Sequence, residues 1–304
     1  MNTLTKAKIS DLIVILGPTA SGKTSFSIEM AKGFEHQVEV INADSRQLYK
    51  YLDIGTAKVS PKEMDGVSHH LINVLDPKEE ISVGWYQTEA KRIIAEVKER
   101  GNMPMLVGGS MLYLSAITDG LSMAPTPSAE LRQKLIDEYD KDQGESLYKR
   151  LRDIDPEAAS KIHVNNKPRL VRAVEIFELT KMSKKDSVPS SELRPRDRIL
   201  EYSNTRILGI NIDRDELHKR INERTRIMFE NGWVAEVREL MDKGYGPDDP
   251  GMKSCGYREI MEAIRSGNLD EEGLIEVISA KTRQYARRQL TWWRGDERIN
   301  WLNS

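Results

Sequence analysis

The octapeptide Gly17-Pro18-Thr19-Ala20-Ser21-Gly22-Lys23-Thr24 constrains this chain more than any other stretch. It fits G-x-x-x-x-G-K-[ST], the pattern of a phosphate-binding loop. With glycine at ~7% of residues, a chance match has odds of roughly one in a hundred over 300 positions. The context fits as well. The apolar run Asp11–Leu16 before it reads as a buried parallel strand, and Lys23–Lys32 after it reads as a helix. The glycines let backbone N–H groups turn toward an anion, and the helix N-terminus adds partial positive charge. Lys23 supplies a mobile cation, and Thr24 a hydroxyl able to ligate Mg²⁺. The loop specifies a polyphosphate without saying which one, or whether a phosphoryl group moves.

The rest of the chain extends this βα start. Val38–Ile41 and Met105–Val107 read as further strands, with a helix over Trp85–Arg100 between them. Alternating strands and helices imply a parallel sheet covered on both faces. From about Ser128 to Lys181 only helical segments are visible, and Ser183–Asp197 reads as a loop rich in Ser, Pro, Lys and Arg. Arg206–Ile212 returns to strand character, and from Asp213 to the end the pattern is helical. The fold class expected is α/β: a P-loop NTPase-like parallel-sheet core with a helical insertion domain and a helical C-terminal region. The domains expected are a core of residues 1–118 and 204–304, and a helical insertion of residues 119–203.

At 304 residues the chain exceeds what one core usually serves, which also favours two lobes. No apolar run approaches the ~20 residues of a membrane span, and the N-terminal residues lack a signal-peptide core. A cytoplasmic protein without a membrane partner is therefore expected. The single cysteine, Cys255, excludes a disulfide framework and a cysteine zinc site. The net charge of −2 hides an uneven distribution. Lys281 to Arg294 carries five positive charges, no negative one, two tryptophans and a tyrosine. Such a mixture can neutralise phosphates and stack on bases, though a solvated basic helix with core tryptophans reads the same way. Lys167, Arg169 and Arg172 form a second basic cluster at helical spacing.

Ligands of open α/β sheets bind beyond the carboxyl ends of the strands. Asp44 ends the second strand there, as a metal ligand or a base; on position alone a helix cap or turn aspartate is the alternative. The Met105–Val107 strand ends in Gly108-Gly109-Ser110 rather than in the acid usual for P-loop hydrolases. Asp76, after Leu71–Leu75, is the candidate left for that acid. Ser110 could reach a phosphate oxygen or cap the next helix.

Taken together these residues resemble the tRNA dimethylallyltransferases (tRNA isopentenyltransferases). The matching strings run in order along nearly the whole chain: the phosphate loop, Asp44-Ser45-Arg46-Gln47-Leu48-Tyr49, Asp53-Ile54-Gly55-Thr56-Ala57-Lys58, His69-His70-Leu71-Ile72, Val107-Gly108-Gly109-Ser110, Asp155-Pro156, Arg169-Leu170-Val171-Arg172, Gly256-Tyr257-Arg258 and Arg287-Arg288-Gln289-Leu290-Thr291-Trp292.

The resemblance implies transfer of a dimethylallyl group from dimethylallyl diphosphate to the exocyclic amine of the adenosine 3′ of a tRNA anticodon, with diphosphate released. The base would have to leave the anticodon stack to reach the site. The phosphate loop, Gly17 to Thr24, would hold the leaving diphosphate, with Mg²⁺ on Thr24. Asp44 would orient the amine and accept its proton, Ser110 would bind the diphosphate, and Arg132 would contact the diphosphate or the flipped nucleotide. By the same matching, the tRNA anticodon stem-loop would meet Asp44, Ser45, Arg46 and Gln47; Pro168, Arg169, Leu170, Val171 and Arg172; Lys253, Gly256, Tyr257 and Arg258; and Arg287, Arg288, Gln289, Thr291, Trp292 and Arg294. The resemblance also assigns contact with tRNA to the helical insertion, residues 119–203. A monomer is expected. Ser110 replaces a usual threonine, Val59 a usual proline, and Gly84-Trp85 a usual Ala-Asp. The sequence ends soon after Trp301 without a zinc-finger stretch, as in the bacterial form. Two other readings compete: a small-molecule kinase of shikimate-kinase type, and a non-enzymatic RNA-binding module gated by nucleotide.

Overall fold

A computed structural model describes residues 11–120, 128–180, 202 and 204–303. Its centre is a six-stranded sheet: β1 (Leu12–Leu16), β2 (Val38–Asn42), β3 (Ser68–His70), β4 (Met103–Gly108), β5 (Thr205–Asn211) and β6 (Ile299–Asn303). The spatial order is β3-β2-β4-β1-β5-β6, and every ladder is parallel. β1 shows why both faces are covered. Leu12, Val14 and Leu16 join one apolar cluster, while Ile13 and Ile15 join another on the opposite face. Successive strand side chains point to opposite faces, so an all-apolar strand must be buried twice. The first face takes Tyr86, Ala90, Ile93, Ile94 and Val97 from the helix Val83–Glu99. The second takes Phe26, Met30 and Ala31 from α1 (Lys23–Lys32).

Register places the chemistry. Leu16 of β1 pairs with Gly108 of β4, and Asn42 of β2 with Val107. The segments that follow β1, β2 and β4 therefore leave the sheet at one edge. The phosphate loop, Asp44 and Ser110 come from those three segments.

One sequence expectation fails here. The C-terminal region is not helical to its end, because Ile299–Asn303 adds an edge strand beside β5. Asp76, the candidate acid, does not end a strand. The strand before it is Ser68–His70, and Asp76 lies in a turn, accepting from the Lys78 amide and the Tyr245 hydroxyl at 2.9 and 2.7 Å. Asp76 lines none of the cavities described below.

The chain divides into two compact units, Met1–Thr118 with Pro195–Ser304, and Asp119–Arg194. The second unit packs the helices Ala129–Asp142, Glu145–Ile154, Pro156–Lys161 and Lys167–Thr180 around Leu135, Tyr139, Leu147, Leu151, Leu170 and Val174. Asp155 starts the third of these helices, its side chain accepting from the Ala158 amide at 2.9 Å with Pro156 at the first helical position. The cap accepts one opening amide, and proline has none to satisfy. The Ser183–Asp197 loop expectation lies outside the described residues.

Candidate active site

The phosphate loop turns through left-handed backbone at Ala20 and Gly22, with φ of +64° and +85°. Gly22 caps α1, yet no side chain caps that helix and its first turn carries no acid. Its opening amides are thus left for an anion. Lys23 is bent over the loop, its Nζ donating to the Pro18 carbonyl at 2.8 Å. Burial pulls the ammonium down to about 8, Asp44 opposing the shift and Arg224 adding to it.

Arg224 was invisible to motif reading. It comes from the helix Arg214–Glu230 and donates from Nη2 to Thr19 Oγ1 at 2.5 Å. Burial lowers its pKa too, and again Asp44 opposes. No sequence signal singled it out, because Arg220 and Arg224 resemble any solvated i,i+4 pair of a charged helix.

Lys23, Arg224 and Asp44 line one cavity of about 740 Å³ with Thr19, Thr24 and Gly109. Lys23 and Arg224 set two cations beside the loop, while the lining as a whole balances Lys23, Lys32, Arg220 and Arg224 against Glu29, Asp44, Glu63 and Asp65. A second cavity of about 490 Å³ shares Thr19, Asp44, Thr56 and Arg224 with the first. Its far wall is different: Trp233, Met228 and Tyr285 with Lys253, Lys281 and Arg288. Asp44 stands in the wall common to both.

Local hydrogen bonds fix Asp44. Its amide donates to Asn42 Oδ1 at 2.9 Å, and Asn42 Nδ2 donates to the Leu71 carbonyl at 2.9 Å. The backbone at 43 is pinned as well: a Cβ on Gly108 would fall 2.2 Å from the Ala43 carbonyl oxygen, so only glycine lets β4 approach there.

The structure separates the predicted residues. Ser110 is 8% exposed and its Oγ accepts the Ser45 amide at 2.9 Å. It lines a third cavity, of about 480 Å³, with Arg46, Tyr49, Tyr113 and Lys253. Its neighbour Gly109 lines the phosphate-loop cavity, and the Ser110 hydroxyl keeps its own proton to donate. Arg132 belongs to the second unit, where its Nη2 lies 2.9 Å from the fully buried Glu175; Arg172 binds the same carboxylate oxygen at 2.5 Å.

Of the residues expected against RNA, Ser45, Arg46, Gln47, Pro168, Arg169, Lys253, Arg258, Arg287, Arg288, Thr291 and Arg294 reach the surface, wholly or in part. Trp292 is half-buried against the main core. Leu170 and Val171 are 0% and 4% exposed, their side chains in the core of the second unit. Gly256 and Tyr257 are buried as well, and the Tyr257 hydroxyl donates to Glu236 Oε1 at 2.6 Å. Gln289 points inward to Thr19 and Gly109. Sequence matching marked these positions by stretch and could not separate the two faces of a helix.

A parallel sheet with an uncapped phosphate loop and two converging cations defines a P-loop protein built to hold a polyphosphate. Comparison with known proteins narrows the class. The family model described as IPP transferase matches residues 47–296. A tRNA dimethylallyltransferase of Acetivibrio thermocellus is 41% identical over 300 residues, 97% of this chain and 92% of that protein. One from Oceanobacillus iheyensis is 41% identical over 291 residues, 95% and 90% of the two chains. Among solved structures, the tRNA isopentenylpyrophosphate transferase of Bacillus halodurans superposes with a TM-score of 0.68 at 38% identity, covering 96% of this chain and 89% of that one. A eukaryotic dimethylallyltransferase acting on tRNA gives a TM-score of 0.78 at 29% identity, over 96% and 73% of the chains. The chain belongs to the IPP transferase family.

Proposed function

We propose that this enzyme transfers the dimethylallyl group of dimethylallyl diphosphate to the exocyclic amine of the adenosine 3′ of a tRNA anticodon, releasing diphosphate. The observation that carries the reading is the place of Asp44, in the wall shared by the phosphate-loop cavity, where Lys23 and Arg224 also stand, and a cavity lined by aromatic and basic side chains. A donor in the first and a base in the second meet at that carboxylate.

In the reaction the allylic C–O bond breaks, a C–N bond forms, and the amine proton passes to Asp44. Negative charge grows on the leaving diphosphate. Lys23 and Arg224, which line the cavity, and the uncapped amides opening α1 would receive that charge, and preorganised donors stabilise a transition state without reorganising. Asp44 orients the amine and takes its proton, a general-base contribution of typically ~10²–10⁴-fold. The exposed basic residues Arg46, Lys253, Arg287, Arg288 and Arg294 would hold the RNA backbone.

Magnesium suits the donor set. Among the described residues no group of three or more His, Cys, Asp or Glu could cage a metal. Thr24 is exposed at the start of α1 and lines the cavity beside Asp44. Mg²⁺ keeps several waters and takes one or two protein ligands plus phosphate oxygens. Thr24 would hold it through its hydroxyl, and it would supply charge neutralisation for the diphosphate.

The test is incubation with unmodified anticodon stem-loop RNA, Mg²⁺ and labelled dimethylallyl diphosphate, read by nucleoside mass spectrometry. A five-carbon gain on adenosine is expected. No transfer to RNA, with phosphoryl transfer from ATP to a metabolite instead, would replace this reading with a kinase.

A further inference from the structure

The helix Glu271–Trp293 has two chemically different faces. Arg287, Arg288 and Thr291 are exposed. Gln289 is 1% exposed on the opposite face. Its Oε1 accepts the Thr19 amide at 2.9 Å, and its Nε2 donates to the Gly109 carbonyl at 2.8 Å. One turn earlier, the Tyr285 hydroxyl donates to the same Gly109 carbonyl at 3.3 Å. A single amide side chain therefore joins the phosphate loop, the turn after β4 and the basic helix. Acceptor and donor must sit at one uncharged tip, which at this length only glutamine provides. Position 109 is matched to it. A Cβ there would stand 2.4 Å from Gln289 Nε2, with the next atoms at 3.6 Å.

We propose that Gln289 is a positioning residue that ties the RNA-binding helix to the phosphate loop, so that RNA on the basic face and prenyl diphosphate in the loop tighten each other's binding. The inference rests on the proposed reaction, which supplies both ligands. RNA that holds the helix also holds the acceptor of the Thr19 amide. A loop ordered in advance binds its anion at smaller entropic cost. The effect must be reciprocal, since coupling belongs to the pair of ligands.

The test titrates the full chain with a non-reactive prenyl thiodiphosphate, with and without anticodon stem-loop RNA, in a calorimeter. In the wild type, RNA tightens the analogue by about fivefold or more. Gln289→Met keeps the volume and removes both bonds; the factor falls toward one while affinity for RNA alone stays. Gly109→Ala disturbs the same contact from the other side and reproduces the loss. In a Gln289→Ala background Gly109→Ala adds nothing further, because the atom it meets is gone. Coupling that survives Gln289→Met and Gly109→Ala overturns the inference. So does a wild type that binds both ligands independently, and so does weakened binding of RNA alone, which would place Gln289 against RNA. A wild type that binds neither ligand contradicts the proposed reaction instead.

Discussion

The Arg46 amide donates to Asp44 Oδ1 at 2.9 Å. Among the described residues no hydrogen bond reaches Oδ2, so one oxygen is anchored by the turn in a side chain that lines both cavities. An anchored carboxylate holds its orientation while it takes a proton. The bond is that of an Asx turn, which Asp76 makes as well; Asp44 differs in lining both cavities.

Lys23 gives a pH signature. Burial holds its ammonium at about 8 in the free protein. A bound diphosphate favours the charged form, so its presence raises that pKa. Affinity is then full below 8 and weakens as pH rises through 8, by up to about tenfold per pH unit until the liganded pKa is reached. Dissociation constants of the prenyl thiodiphosphate between neutral and alkaline pH check this. Lys23→Met should bind more weakly and lose the break near 8.

Arg224→Ala should weaken the diphosphate analogue. The lost guanidinium is half-buried beside Thr19, so a charge-assisted contact worth about 1.5–3 kcal/mol is removed. Arg224→Lys should recover part of the loss, since the charge returns without the fork that reaches Thr19. Equal affinity in all three proteins would contradict the assignment.

Glu39 tests the fold apart from the site. Burial would raise its carboxyl, but Arg100, Asn102 and His70 outweigh burial and hold it at about 2. Arg100 donates twice, Asn102 once at 2.6 Å, and His70 Nε2 lies 2.6 Å away. The folded pKa is depressed, so the stabilisation is present above the unfolded value and is lost as pH falls from about 4.5 toward 2. With Arg100 half-exposed, about 2 kcal/mol is a fair discounted figure. Denaturant titration at pH 7 should show Glu39→Gln less stable by about that amount, with the gap closing in acid.

Gly108→Ala should damage both stability and chemistry. The added Cβ meets backbone at 43, which cannot rotate away, so the cost falls at the upper end of the ~1–3 kcal/mol of overpacking. Because residue 43 precedes Asp44, turnover should fall more than analogue affinity does. Thermal unfolding and steady-state kinetics on one preparation separate the two effects.

Much of this was legible in the sequence. The phosphate loop announces itself because its chemistry needs particular residues at fixed spacing, and Asp44 because it ends an obvious buried strand. β6 was not legible: Ile299–Asn303 is a polar-apolar edge strand whose pairing with β5 is set by tertiary contact. Arg224 was hidden for a different reason, and so was the inward turn of Gln289, which the sequence had marked only for tRNA. Each sits on a long charged helix, and which face turns inward is decided by where that helix packs. The bond from the Ser45 amide to the Ser110 hydroxyl was not legible either, because it joins residues 65 positions apart.

The most direct test of the account is a single-turnover measurement of prenyl transfer to anticodon stem-loop RNA, both substrates saturating, by the wild type and by Asp44→Asn. The account predicts a chemical step slowed by about 10²–10⁴-fold, with both dissociation constants near those of the wild type. An unchanged chemical step, or a loss confined to binding, would contradict the role given to the carboxylate that the two cavities share.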